Sequence, residues 1–517
     1  MLRKTRLIIA ALFFAAVTLL FVDFSGEASS LFGWTAKLQF LPALLAMNFA
    51  VIAGIALLTI IFGRIYCSVI CPLGVMQDIF SRTGNSGKKN RFSYKKGKTF
   101  LRWTIFAVFA ALMLLGGAVV ATLIAPYSAY GRIASNILAP IWAAGNNLLA
   151  DLCEYANSYA LYQTDIWFKG TGAFLVALAT LAIIGCISWK HGRAYCNTVC
   201  PVGTLLGFLA RYSLFRPVID ASKCVGCKLC EKNCKSKCIN AAEHSIDYDR
   251  CVACFNCLEQ CRTNAITYTA RRSKAGAVKS GVKTAPKSAP KQPAKKRAKA
   301  ERDAISNFAG ARRLFFKLVF LIGGGTLANA QVMKLDGGLA PIKPRHKPPR
   351  KTRILPPGAV SFGNFDSKCT SCMLCVSACP THVLEPSASL SNFMRPEVSY
   401  ERGYCRTECV KCSQVCPAGA ILPISPEVKA STQTGHAVWV SASCIVNTDS
   451  VQCDNCFAHC PTMAIQMVPK DVSNPKSLKI PVVNEARCIG CGACENLCPA
   501  RPVSAIYVEG HEVHKEI

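Results

Sequence analysis

Acidic residues are scarce in this chain: 29 Asp and Glu stand against 60 Lys and Arg, a formal net charge of +31 over 517 residues. Such a deficit invites a nucleic-acid reading, but the placement of the charge removes it. Residues 366–517 hold 12 basic and 14 acidic side chains, so the whole excess lies in the first 365 residues, around apolar stretches. That is the pattern of cytoplasmic loops flanking membrane helices. The basic run 271–302 contains no aromatic residue on which bases could stack, so no nucleic-acid partner is expected. Also missing are the marks of a disulfide scaffold, which is short and poor in apolar residues, and the paired C-x2-C spacing of a zinc ribbon.

What the chain has in abundance is cysteine, 31 in all, 24 of them in six groups. Cys488, Cys491, Cys494, Cys498 with Pro499 form the C-x2-C-x2-C-x3-C-P run of bacterial ferredoxins, and Cys369, Cys372, Cys375, Cys379 with Pro380 repeat it. Cys224, Cys227, Cys230, Cys234 and Cys251, Cys254, Cys257, Cys261 repeat it without the proline. Two looser versions are Cys405, Cys409, Cys412, Cys416 and Cys444, Cys453, Cys456, Cys460. Four thiolates hold one [4Fe–4S] cube, so six clusters are expected, and a chain with six clusters is most simply a wire for single electrons. In two-cluster ferredoxins the fourth cysteine of each run serves the other cluster. This assigns Cys224, Cys227, Cys230 with Cys261, and Cys251, Cys254, Cys257 with Cys234. The pairing of the other sixteen cannot be read from spacing. No flavin or haem is expected.

Four apolar stretches, about 7–22, 40–62, 103–125 and 171–189, are long enough or nearly so to cross a bilayer. The N-terminus is basic, and loop 81–98 has seven Lys or Arg and no acid, which places both inside. Loop 126–170, with Arg132 and Lys169 against Asp151, Glu154 and Asp165, falls outside. Residues 271–310 are a Lys/Ala/Pro-rich linker that cannot bury a core. Ala311-Arg312-Arg313-Leu314-Phe315-Phe316-Lys317 opens a segment to residue 330 that resembles a twin-arginine export signal, retained as an anchor. The alternative is an ordinary fifth membrane helix. Either way 331–517 lies outside the membrane. The expected fold is an α-helical membrane bundle of four spans plus a fifth anchor or signal helix, with α+β ferredoxin-like 4Fe–4S modules on both sides. Its parts are a membrane domain at 1–215, a two-cluster module at 216–270, the linker, the segment 311–330, and a four-cluster module at 331–517.

Gly63-Arg64-Ile65-Tyr66-Cys67-Ser68-Val69-Ile70-Cys71-Pro72-Leu73-Gly74 recurs as Gly192-Arg193-Ala194-Tyr195-Cys196-Asn197-Thr198-Val199-Cys200-Pro201-Val202-Gly203, identical at seven of twelve positions. Packing the second and fourth spans together would bring Cys67, Cys71, Cys196 and Cys200 to one place. Metal ligation, redox-active disulfides and plain structural thiols are the three uses open to them, with a further metal centre favoured because stable cytosolic disulfides are rare. Arg64, Asp78, His191 and Arg193 lie nearby in sequence and read as interface or loop residues. Of the remaining cysteines, Cys153 and Cys186 read as small packing residues, and Cys238, four after Cys234, could substitute as a ligand.

The repeated YC-x3-CP-x-G blocks, four spans and two ferredoxin motifs resemble membrane polyferredoxins of the NapH, NosR and CcoG types, and residues 311–517 resemble a NapG-type ferredoxin. The resemblance implies a protein of the bacterial inner membrane that passes electrons from quinol to a periplasmic reductase or carrier, with its C-terminal module in the periplasm and a quinol dehydrogenase role in prospect. Two other readings stand beside it: a metal- or thiol-reducing assembly factor for a copper enzyme, and electron input from a cytoplasmic ferredoxin. The chain departs from the pattern in fusing the two partners, in having no preceding flavin domain, and in carrying Lys235 and Arg262 where proline is usual.

Overall fold

The computed structural model describes residues 1–23, 26–83, 92–271 and 345–517. The linker expected at 271–310, the signal-like segment 311–330 and the first residues of the C-terminal module fall almost wholly outside the described residues. Met1–Arg271 and Arg345–Ile517 form one unit.

Among the described residues two helices are long and apolar enough to cross a membrane, Leu2–Val22 and Thr171–His191, each of 21 residues, or about 31 Å at 1.5 Å per residue. The other two expected spans are interrupted. The run 40–62 divides into Phe40–Leu45 and Phe49–Phe62. Met47 adopts a left-handed φ of 53° and the Asn48 side chain accepts a bond from the Val51 amide, starting a new helix. The run 103–125 divides into Thr99–Leu114 and Ala118–Leu123 at Gly116, φ 82°. Nor is 126–170 mostly loop. Pro126–Ile133 passes through a π-helical turn, Ala134–Leu138, into the helix Ala139–Tyr155, and all eight residues of Pro126–Ile133 are buried. Arg132, fully buried, donates to the Thr122 and Leu123 carbonyls (3.2 and 2.7 Å) and so satisfies the end of the preceding helix.

Among the described residues the ferredoxin-like parts are loops, short helices and five two-stranded antiparallel sheets. Phe215–Ile219 pairs with Ile266–Ala270 to close the first module. In the C-terminal part Thr432–Trp439 pairs with Ile506–Glu516, and Ile465–Pro469 with Lys479–Val483. Isolated two-stranded sheets are marginal in water, so these modules need another source of stability.

Both long helices run from one module to the other. At the start of Leu2–Val22, Arg3 is ion-paired with Glu259 of the first module, and at its end Phe21 packs where Gly131 meets the Cys372 carbonyl. Before Thr171–His191, Lys169 donates to Ser377 (2.7 Å) and the Trp167 ring lies 5.0 Å from His382. Past its other end the Arg193 amide donates to the Lys235 carbonyl (3.0 Å).

Candidate metal centres

In each of the four strict motifs, the residues on either side of the second cysteine adopt positive φ: Gly226 and Lys228, Ala253 and Phe255, Ser371 and Met373, Gly490 and Gly492. This is a costly backbone for residues other than glycine. It wraps the chain around the second cysteine and opens a one-turn helix that carries the third, as in Leu229–Lys232 with Cys230 and Leu374–Ser377 with Cys375. It also turns amides toward sulfur: those of Ala253, Ser371 and Gly490 bond Cys251, Cys369 and Cys488. The two loose motifs lack the turn; Val410 and Asp454, the corresponding residues, have φ −117° and −129°.

The cysteines then gather around cavities, three from one motif and the fourth from its partner. Cys224, Cys227, Cys230 and Cys261 line one. Cys251, Cys254, Cys257 and Cys234, joined by Cys238, line another. Cys369, Cys372, Cys375 and Cys416 line a third, and Cys444, Cys453, Cys456 and Cys498 a fourth. The complementary sets follow: Cys379 lies within electrostatic reach of Cys405 and Cys412, and Cys460 of Cys488 and Cys491. Each cavity of the first module thus brings together three cysteines of one motif and the fourth of the other, and in the C-terminal part cysteines of the third motif stand with those of the fourth and cysteines of the fifth with those of the sixth.

The donor chemistry fits a cube. The thiols stand around a space, and among the described residues no three Cys, His, Asp or Glu converge closely enough for a single ion. Burial pushes the Cys372 thiol up to about 11 and Cys369 and Cys491 to about 12, with backbone amides opposing it in part. Bare thiolates are thus disfavoured in these pockets, and a metal is what would hold them deprotonated. Lys429 is a charge that sequence reasoning missed. It is buried, donates to the carbonyls of Arg406 and Cys409 (2.6 Å to the latter) and lies beside the Cys405 sulfur.

The cysteines of the two repeats also come together. Cys67, Cys71, Cys196 and Cys200 are all buried in one packed cluster. The two repeats are locked reciprocally. Arg64 donates to the carbonyl of Cys196 (3.1 Å) and Arg193 to that of Cys67 (2.6 Å), and each guanidinium also lies 3.8 Å from the sulfur of its own repeat's first cysteine. Gly74 and Gly203 close the blocks where any Cβ would run into the carbonyl of Cys67 or Cys196. These positions account for four of the seven shared residues. Arg64, Arg193 and Asp78 are accordingly not interface residues, as their sequence context suggested, but buried ones. Asp78 takes Arg193 (2.8 Å), Arg6 (3.1 Å) and Lys235 (3.4 Å). Burial would raise its carboxyl, but Arg193, Lys235 and Arg6 outweigh it and hold the group well below the usual carboxylate range. His191 lies 3.3 Å from Lys237 Nζ. Cys153 and Cys186 line none of these cavities.

A connected path joins the first module to the C-terminal one through this site. The Asp249 carbonyl, two residues before Cys251, accepts from Arg64 (2.9 Å), which reaches Cys196; Tyr195 donates to the Ile124 carbonyl (2.5 Å); Arg132 binds Leu123; and Gly131 touches Cys372.

Comparison with known proteins agrees with this chemistry. The 4Fe-4S binding domain family matches residues 44–91 and 172–220, which contain the two repeats, and the 4Fe-4S dicluster domain family matches 368–420 and 451–501. The chain is 34% identical over 159 residues to the methylamine utilization ferredoxin-type protein MauM of Methylophilus methylotrophus, spanning 29% of this chain and 69% of the relative. It is 29% identical over 200 residues to the ferredoxin-type protein NapG of Escherichia coli K12 (36% and 80%), and 28% identical over 158 residues to NapF of the same strain (31% and 87%). No solved structure matches the chain.

Proposed function

The chain belongs to the family of ferredoxin-type 4Fe–4S proteins, and on that premise we propose that it is a membrane-anchored electron carrier with six clusters, taking electrons from the quinol pool of the bacterial inner membrane and delivering them to a periplasmic reductase or carrier. Bound [4Fe–4S] clusters supply one-electron redox centres. Cys224, Cys227, Cys230, Cys261 would hold the first and Cys251, Cys254, Cys257, Cys234 the second. Cys369, Cys372, Cys375, Cys416 would hold the third, Cys405, Cys409, Cys412, Cys379 the fourth, Cys444, Cys453, Cys456, Cys498 the fifth, and Cys488, Cys491, Cys494, Cys460 the sixth. Cys67, Cys71, Cys196 and Cys200 would hold a further metal centre.

The observation that carries this reading is that the two modules sit at opposite ends of the two span-length helices and are bridged by the four-cysteine site. The described part breaks off at Arg271, beside Leu214 at the edge of the first module, and resumes at Arg345 beside Cys498 of the other. The protein's own part is to bury the sulfurs, exclude water and fix separations, so that charge transfer requires no large atomic movement. Anaerobic stopped-flow of the holoprotein in proteoliposomes tests the input. Menaquinol should bleach the cluster absorbance near-completely, whereas bleaching only by a soluble ferredoxin would reverse the input. Exposure of Cys227 at the rim of the first cavity favours that second reading.

A further inference from the structure

The second cavity carries one thiol too many. Each of the other three described cavities has four cysteines on its wall; this one has five, because Cys238 stands with Cys234, Cys251, Cys254 and Cys257. A cube has four irons and takes one thiolate at each. Cys238 is no surface residue: it is 1% exposed, against 6% for Cys234, and the two sulfurs lie 3.5 Å apart. Both are held from behind by different parts of the chain. Cys234 begins the loop whose Lys235 is fixed to Asp78 and to the Arg193 amide of the membrane domain. Cys238 directly precedes the hairpin that pairs Ile239 with Ile246, and its carbonyl accepts from the Asp247 amide at 2.8 Å. The motif lacks proline after Cys234, so the backbone from 234 to 238 turns back, through Lys237 at φ 53°, and returns the second sulfur to the same wall.

We propose that Cys238 is an alternative ligand for the iron corner assigned to Cys234, so that this cluster is held by either of two thiolates. The inference rests on the reading of this cavity as a cluster site. The exchange balances without any redox change. The bond from iron to the Cys234 sulfur breaks, one to the Cys238 sulfur forms, and the Cys238 thiol proton passes to Cys234. The corner is then anchored either to the loop clamped on the membrane domain or to the hairpin inside the module. Ligand identity and its hydrogen bonds tune a cluster's potential, so the two forms differ in potential.

The test is iron and acid-labile sulfide per chain in the anaerobically purified full-length holoprotein, with EPR of the reduced state. Cys234→Ala and Cys238→Ala should each keep wild-type iron, with one cluster's g-values shifted in Cys234→Ala, and the double variant should lose about four irons per chain. A loss of about four irons in either single variant, the remaining clusters intact, overturns the inference. Should an alanine variant lose all its iron through misfolding, Cys234→Val and Cys238→Val, whose side chains have no atom that can ligate iron, are read by the same criterion. Wild-type protein lacking any signal from this module would instead overturn the cluster assignment itself.

Discussion

Single charges do much of the work around these sulfurs. Lys429 is the clearest case, a buried ammonium beside Cys405 and bonded to the Cys409 carbonyl. A positive charge there favours the more negative, reduced form of whatever Cys405, Cys409 and Cys412 hold. Lys429→Met should therefore lower one midpoint potential in an EPR-monitored titration, by about 60 mV if the charge contributes about 1.4 kcal/mol to a one-electron couple. An unchanged set of potentials would remove Lys429 from that role. His514, on the strand Ile506–Glu516, acts on stability instead. Burial first, and His511 second, lower its pKa from 6.5 to about 4. The unfolded chain thus takes up a proton that the folded one refuses between those values. Stability is full above pH 6.5, declines as pH falls toward 4, and levels off below it. The thermal midpoint should follow that course, and His514→Phe should flatten it, by about 1–2 kcal/mol at pH 4 for a partly exposed ring.

At the scale of elements, hydropathy marked the apolar runs but not their continuity. Leu2–Val22 and Thr171–His191 are uninterrupted as expected, while 40–62 and 103–125 break at Met47 and Gly116. A left-handed residue within an apolar run leaves the mean hydropathy unchanged, so the breaks were invisible to it. The charges of 126–170 were read for sidedness alone, and they gave no hint that Pro126–Ile133 is buried along its whole length. Cysteine spacing was far more informative, because C-x2-C-x2-C forces the left-handed pair around the second cysteine and the one-turn helix after it. Spacing fails only where partners are distant in sequence: the fifth and sixth motifs meet through sheets that close around them, and Arg64 and Arg193 each find their acceptor in the other repeat, more than 120 residues away. Gly131 is a further such contact. Any Cβ there would meet the Cys372 carbonyl, so Gly131→Leu should push the C-terminal module off the helices beneath it. Limited proteolysis of the holoprotein should then cut on both sides of Lys169 several-fold faster than in wild type. Equal rates would show that the contact does not hold the module down.

Across the whole molecule the question is whether the two modules share one circuit. A helix of 21 residues is about 31 Å long, too far for the modules to exchange electrons readily without an intermediate. The bridge of Arg64, Cys196, Tyr195, Arg132 and Gly131 shortens that gap only if the four buried cysteines carry a redox centre, since aliphatic packing alone provides none. Holoprotein can be inserted in one orientation into liposomes, with dithionite confined to the side of the first module. With the modules on opposite faces as proposed, the reductant, which cannot cross the bilayer, can reach clusters of the C-terminal module only through the protein. In wild type their EPR signals should appear within the mixing time. In Cys67→Ala/Cys196→Ala the first module should still reduce, while the C-terminal signals rise at least tenfold more slowly. Equal rates in the two proteins would mean that charge bypasses the four-cysteine site. No C-terminal reduction in wild type would mean that the modules serve separate partners.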